Sequence, residues 1–158
     1  MRALFASFVL LVASSCMPDT GNEKIERLEM RLSGWSSLDI VIDEEGNGTY
    51  RDSEPFPDGA TGHFKLDQDE LTKVLASLQL YRELSVPFSD ESAMEFIERT
   101  CPKGVPSVTD AGAFYARWHT ATSDTHYLAD FGCDYERYAD RNRDIIKLVK
   151  TLPIPVDW

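Results

Sequence analysis

AFYARWHTATSDTHYLADFGCDYERYADRNRDIIKLVKTLP, residues 113–153, is the stretch from which the fold is read. Ala113 to His119 and Thr125 to Phe131 alternate with a period of two around the loop Ala121-Thr122-Ser123-Asp124, which predicts a β-hairpin. Symmetric closure opposes residues whose numbers sum to 245. One face then carries Phe114 with Phe131, Ala116 with Ala129 and Trp118 with Tyr127. The other carries Tyr115 with Asp130, Arg117 with Leu128 and His119 with His126. The first set is the core face, and the second is wet or meets a partner. Asp134 is read as the cap of a long helix, along which Tyr138, Asn142, Ile145, Val149 and Leu152 follow helical spacing. Ile146 widens that stripe, and Pro153 stops it because proline lacks the donor a helix needs.

The first half has the same plan in longer form. Leu28, Met30 and Leu32 alternate with charged residues in a strand over Leu28 to Ser33, and Gly34-Trp35-Ser36 breaks it. Leu38, Ile40 and Ile42 alternate again, Gly46-Asn47-Gly48 turns the chain, and Thr49-Tyr50-Arg51 returns as the second arm of a hairpin. A polar loop through Pro55, Pro57, Asp58 and Gly59 leads to a short strand near Gly62 to Leu66. Asp67 and Glu70 form a capping box for a helix that gathers Leu71, Val74, Leu75, Leu78 and Tyr81 on one face. A second short helix is expected over Ser89 to Arg99, capped by Ser89 or Asp90. Strands followed by a helix, twice, predict an α+β fold: an antiparallel sheet of two hairpin-rich halves, each followed by a helix packed on one face. Residues 27–158 make one such domain.

The start of the chain reads as an export signal. Arg2 precedes the apolar run Ala3 to Ala13 and a cluster of small residues, which makes residues 1–15 a signal peptide. The run is too short to span a bilayer, which takes about 20 apolar residues. Ala13-Ser14-Ser15-Cys16 resembles the lipobox at which a lipoprotein signal is cut before a lipidated cysteine, although Ala13 stands where Leu is commonest. Ordinary cleavage after small residues would cut at the same bond. Residues 16–26 form the lipid anchor and a short polar tether. The resemblance implies partnership with a membrane through Cys16, with the domain in the periplasm or on the cell surface.

Three cysteines are an odd number for an exported chain. Giving Cys16 to lipid leaves Cys101 and Cys133 as one disulfide, against the alternative of two buried thiols. Removing residues 1–15 takes away Arg2 and no acid, so the processed form carries 15 Lys and Arg against 27 acids, a net −12. Such a surface repels phosphate backbones and excludes nucleic acid as a partner; it favours solubility or a basic protein partner.

Two constellations offer chemistry. Asp43, Glu45, Asn47, Gly48 and Glu54 occupy positions 1, 3, 5, 6 and 12 of a calcium-binding EF-hand loop. The strand period of Leu38 to Ile42 and the Gly-Asn-Gly turn account for the same residues as a plain hairpin. His119 and His126, opposed on the exposed face with Cβ atoms about 5 Å apart, would begin a zinc or copper site with Asp124 or Asp130 as a further ligand. Their plainer role is as two surface histidines beside a turn. No HExxH, no GxSxG elbow and no P-loop lysine is present, and no pattern implies a cofactor. Trp35, Tyr50, Phe56, Tyr115, Tyr127 and Tyr135 are core or half-buried strand positions before they are a recognition surface, and Trp158 is expected to pack on the body.

Gly46-Asn47-Gly48-Thr49-Tyr50, Thr109-Asp110, Gly132-Cys133 and the closing Trp158 resemble a bacterial family of small exported proteins classed only as a domain of unknown function. The resemblance covers most of Leu28 to Trp158, and this chain has Ser36-Ser37 where that family often has Cys-Pro. It implies export and no activity. The reading that follows is an envelope lipoprotein whose domain is a non-catalytic binding module. It would engage another envelope protein through the exposed sheet face or the acidic loops between residues 43 and 70, with a metal-dependent role at His119 and His126 as the alternative.

Overall fold

The computed structural model describes residues 23–53, 59–89 and 91–155; residues 1–15, read above as a signal peptide, and Cys16, Glu54, Phe56 and Trp158 lie outside them. Seven strands form a single antiparallel sheet: β1 (Ile25–Ser33), β2 (Ser37–Asp43), β3 (Asn47–Ser53), β4 (Thr61–Lys65), β5 (Val86–Pro87), β6 (Ala113–Thr120) and β7 (Asp124–Asp130). Their spatial order is β4-β3-β2-β1-β6-β7-β5, so the two hairpin-rich halves join along β1 and β6. Three helices complete the α+β fold: α1 (Gln68–Glu83), α2 (Ala93–Thr100) and α3 (Ala139–Lys150).

Strand alternation sends Leu28, Met30, Leu32, Leu38, Ile40, Ile42, Phe114, Ala116, Trp118 and Ala129 to one face of the sheet. Leu71, Val74, Leu78 and Tyr81 of α1 and Ile145 and Val149 of α3 cover that face and bury it. The first hairpin turns through Gly46 at φ +83, a conformation that favours glycine. At Gly48 a Cβ would stand 2.1 Å from the Phe64 ring, which packs in the place a side chain would take.

The helix α1 begins at the expected cap. Asp67 Oδ1 accepts the Glu70 N–H at 2.8 Å, and Glu70 Oε2 accepts the Asp67 N–H at 2.8 Å. The cap of α2 is Ser92, in a capping box with Glu95, in place of Ser89 or Asp90. Asp134 does not cap α3. Its φ is +43, outside the extended range of an N-cap, and it opens a turn before Tyr138, which makes no side-chain cap bond.

The last hairpin closes two residues tighter than symmetric closure around a four-residue loop. Phe114 faces Ala129, Arg117 faces His126 and His119 faces Asp124. Thr120 N–H donates to Ser123 O and Ser123 N–H donates to the Thr120 hydroxyl, each at 2.9 Å, so Ala121 and Thr122 alone make the turn. A slip of two leaves every side chain on its expected face but changes its partner.

Candidate functional site

The sheet face opposite α1 and α3 is the one on which polar groups meet. Alternation places Glu29 of β1, Arg117 and His119 of β6, and Asp124 and His126 of β7 there, and β1 pairs with β6 so that Glu29 stands opposite Arg117. His119 Nε2 lies 3.1 Å from Glu29 Oε1, and its Nδ1 lies 3.6 Å from Asp124 Oδ2. Arg117 donates to both carboxylate oxygens of Asp124, with Nε at 2.8 Å from Oδ1. Its guanidinium stacks 3.4 Å from the centroid of Phe88. The array extends along the sheet through the ion pairs Arg27–Glu29 and Arg31–Asp39.

The electrostatics follow from these contacts. The hydrogen bonds from Arg117 hold the Asp124 carboxyl below the usual carboxylate range, with the charge of His119 acting in the same direction. Burial pushes His119 below the ordinary imidazole value; Asp124 pulls it upward, while Arg117 and Arg27 push it further down.

His126 is more enclosed, at 4% exposure. The rings of Phe88, Phe96 and Tyr115 stand edge-to-face around it, with centroids 5.3 to 5.7 Å away. Its Nε2 is buried and has no hydrogen-bond partner among the described residues. Burial lowers its pKa; Glu91 and Asp124 oppose this, and Arg117 and Arg99 add to it. Phe96 comes from α2, which therefore sits against the face that α1 and α3 leave open.

The expected direct opposition of His119 and His126 is corrected by the register: each lies diagonal to the other, and Asp124, the third candidate ligand, faces His119 and is held by Arg117. Among the described residues no group of three or more His, Cys, Asp or Glu side chains stands where it could hold a metal ion. The Asp43 loop is a hairpin between β2 and β3. Asp43 Oδ1 accepts the N–H groups of Glu45 and Asn47, and Lys65 Nζ donates to Glu45 O at 2.6 Å and Asn47 Oδ1 at 2.8 Å. The Lys65 ammonium thus already occupies Asn47 Oδ1, one of the side-chain oxygens that an EF-hand would turn toward calcium.

Cys101 and Cys133 form a disulfide, with Cα atoms 5.9 Å apart. Among the described residues no hydroxyl or thiol hydrogen-bonds to either imidazole of the face. The array offers fixed charge and aromatic surface, not a nucleophile beside a base. Glu29, Phe88 and Phe96 are its members that sequence reading did not single out. The alternation of β1 shows which face Glu29 takes, whereas nothing local to Phe88 or Phe96 signals His126. Neither protein-family models nor curated proteins yield a match to this chain.

Proposed function

We propose that the chain is exported, processed before Cys16 and lipid-anchored to a bacterial membrane through that cysteine, and that its domain is a non-catalytic binding module for an envelope protein. The module engages its partner through the open face of the sheet. The observation that carries this reading is the pre-set array on that face. Arg117 is held at once by Asp124 and Phe88, His119 by Glu29, and Arg31 by Asp39. Side chains already fixed lose little further rotamer freedom when a partner arrives, and Arg beside aromatic rings is the composition of interface hot spots.

Other features agree. The disulfide supports an oxidising compartment, the signal-like start supports export, and the net charge of −11 disfavours nucleic acid. The test is a photo-crosslinking residue placed in the full chain at Arg31 or Val41 on the open face, with Lys150 of α3 as control. One discrete protein adduct is expected from the two sheet positions and none from the control. The same adduct from all three positions, or substrate turnover that Ala substitutions in the array abolish, would overturn the reading.

A further inference from the structure

The outer edge of β7 is only partly covered. Val86 and Pro87 of β5 pair with His126 and Thr125, and the Phe88 N–H donates to Asp124 O at 2.8 Å. Phe131 N–H donates the other way, to Gly112 of the β6 side, so the even-numbered residues of β7 turn their backbone groups outward. The next outward residue is Leu128. The chain opposite it has become the C-terminal cap of α1, where Leu84 N–H donates to Leu80 O. Among the described residues neither backbone group of Leu128 has a hydrogen-bond partner. One step further, Asp130 O accepts from Arg141 Nη2 at 2.8 Å, which closes the edge.

A groove of about 530 Å³ lies in front of this gap, lined among others by Leu80, Leu84, Tyr127, Leu128, Tyr138 and Arg141. Leu80 and Leu84 are 60% and 58% exposed, and they share this one groove. Arg141 stacks 4.2 Å from the Tyr138 centroid and donates only to neutral oxygens, Asp130 O and Asn142 Oδ1. Two carboxylates border the groove: Asp130 Oδ1 accepts the Gly132 N–H at 2.8 Å, and the exposed Asp144 stands 3.7 Å from Arg143 Nε.

We propose that this groove receives an extended segment of a protein partner that adds to β7 at Leu128, seats an apolar side chain against Leu84 and Tyr127, and sets a carboxylate on Arg141. The unpaired backbone groups select a polypeptide in strand conformation, as in β-strand addition. The guanidinium without a carboxylate selects the charge, since a charge-assisted pair is the stronger hydrogen bond. The groove lies at the sheet edge and does not depend on the open-face reading.

The test is selection of displayed random hexapeptides, with free and blocked C-termini, on the purified full chain, followed by anisotropy titration of the best peptide. Enriched peptides are expected to carry an apolar residue next to Asp, Glu or a free C-terminus. Affinity is expected to fall at least about 10-fold in Arg141→Ala and in Leu84→Glu, with part retained in Arg141→Lys, and to stay unchanged in Arg31→Glu. No enrichment, binding indifferent to Arg141→Ala and Leu84→Glu, or binding lost in Arg31→Glu would overturn the proposal.

Discussion

Replacing both Cys101 and Cys133 by Ser removes a crosslink that closes 32 residues of sequence separation. In the chain-entropy relation a loop of that length lowers the entropy of the unfolded chain by about 12 cal/mol/K, or about 3.7 kcal/mol at 25 °C. Cys133 is buried at 6% exposure, so a hydroxyl placed there adds a desolvation cost unless it finds a partner. For a domain of this size each kcal/mol moves Tm by roughly 3 to 5 °C, and the expected drop is about 10 to 20 °C. The bridge also ties the end of α2 to the segment after β7, while Phe96 holds α2 against His126 from its other side. Urea unfolding of the native and double-Ser chains measures the loss, and the slope should rise as the unfolded chain expands. A loss below about 1 kcal/mol with an unchanged slope would refute the loop-closure reasoning.

Asp67→Ala removes an N-cap bond of α1 and should cost about 1 kcal/mol in urea unfolding, with Asp67→Asn losing less. Leu78→Ala, at a fully buried position on the core-facing side of α1, should cost about 2 to 5 kcal/mol by the same assay. Both His119 and His126 have folded pKa values below the ordinary imidazole value of about 6.5, so the unfolded chain takes up protons first. Their contribution is full above about pH 6.5 and is lost as pH falls from there toward the folded values; His126→Leu should flatten that slope in unfolding measured between about pH 5 and pH 7.5, and an unaltered slope would count against it. The depressed Asp124 carboxyl gives a separate loss at lower pH, below its ordinary value of about 3.9, which Arg117→Met should reduce.

Much of the fold is legible because it is local. The period of two in Leu28 to Ile42 and in Phe114 to Phe131 sets the faces, and Asp67 with Glu70 sets the start of α1. The register of the last hairpin is less so, because the Thr120 and Ser123 hydroxyls tighten the turn through side-chain bonds that periodicity does not encode. Asp134 fails as a cap for a related reason: a residue type favoured at caps also tolerates the left-handed turn it adopts here. The candidate site divides in the same way. Arg117, His119 and His126 are legible as one face, but Asp124 reads as a loop residue until the tighter register brings it opposite His119, and the pairing of β1 with β6 that brings Glu29 to His119 spans 90 residues of sequence. Phe88 and Phe96 reach His126 from segments whose own pattern carries no sign of it.

The most direct test of the binding-module account is in-cell crosslinking and detergent purification of the full, C-terminally tagged chain, compared with its Arg31→Glu/Val41→Glu form and with a Cys16→Ser form. One stoichiometric envelope protein is expected with the native chain, lost when the open face is altered at unchanged Tm, and reduced when the anchor is removed. Recovery of the same partner by the altered face, or of none by the native chain, would contradict it.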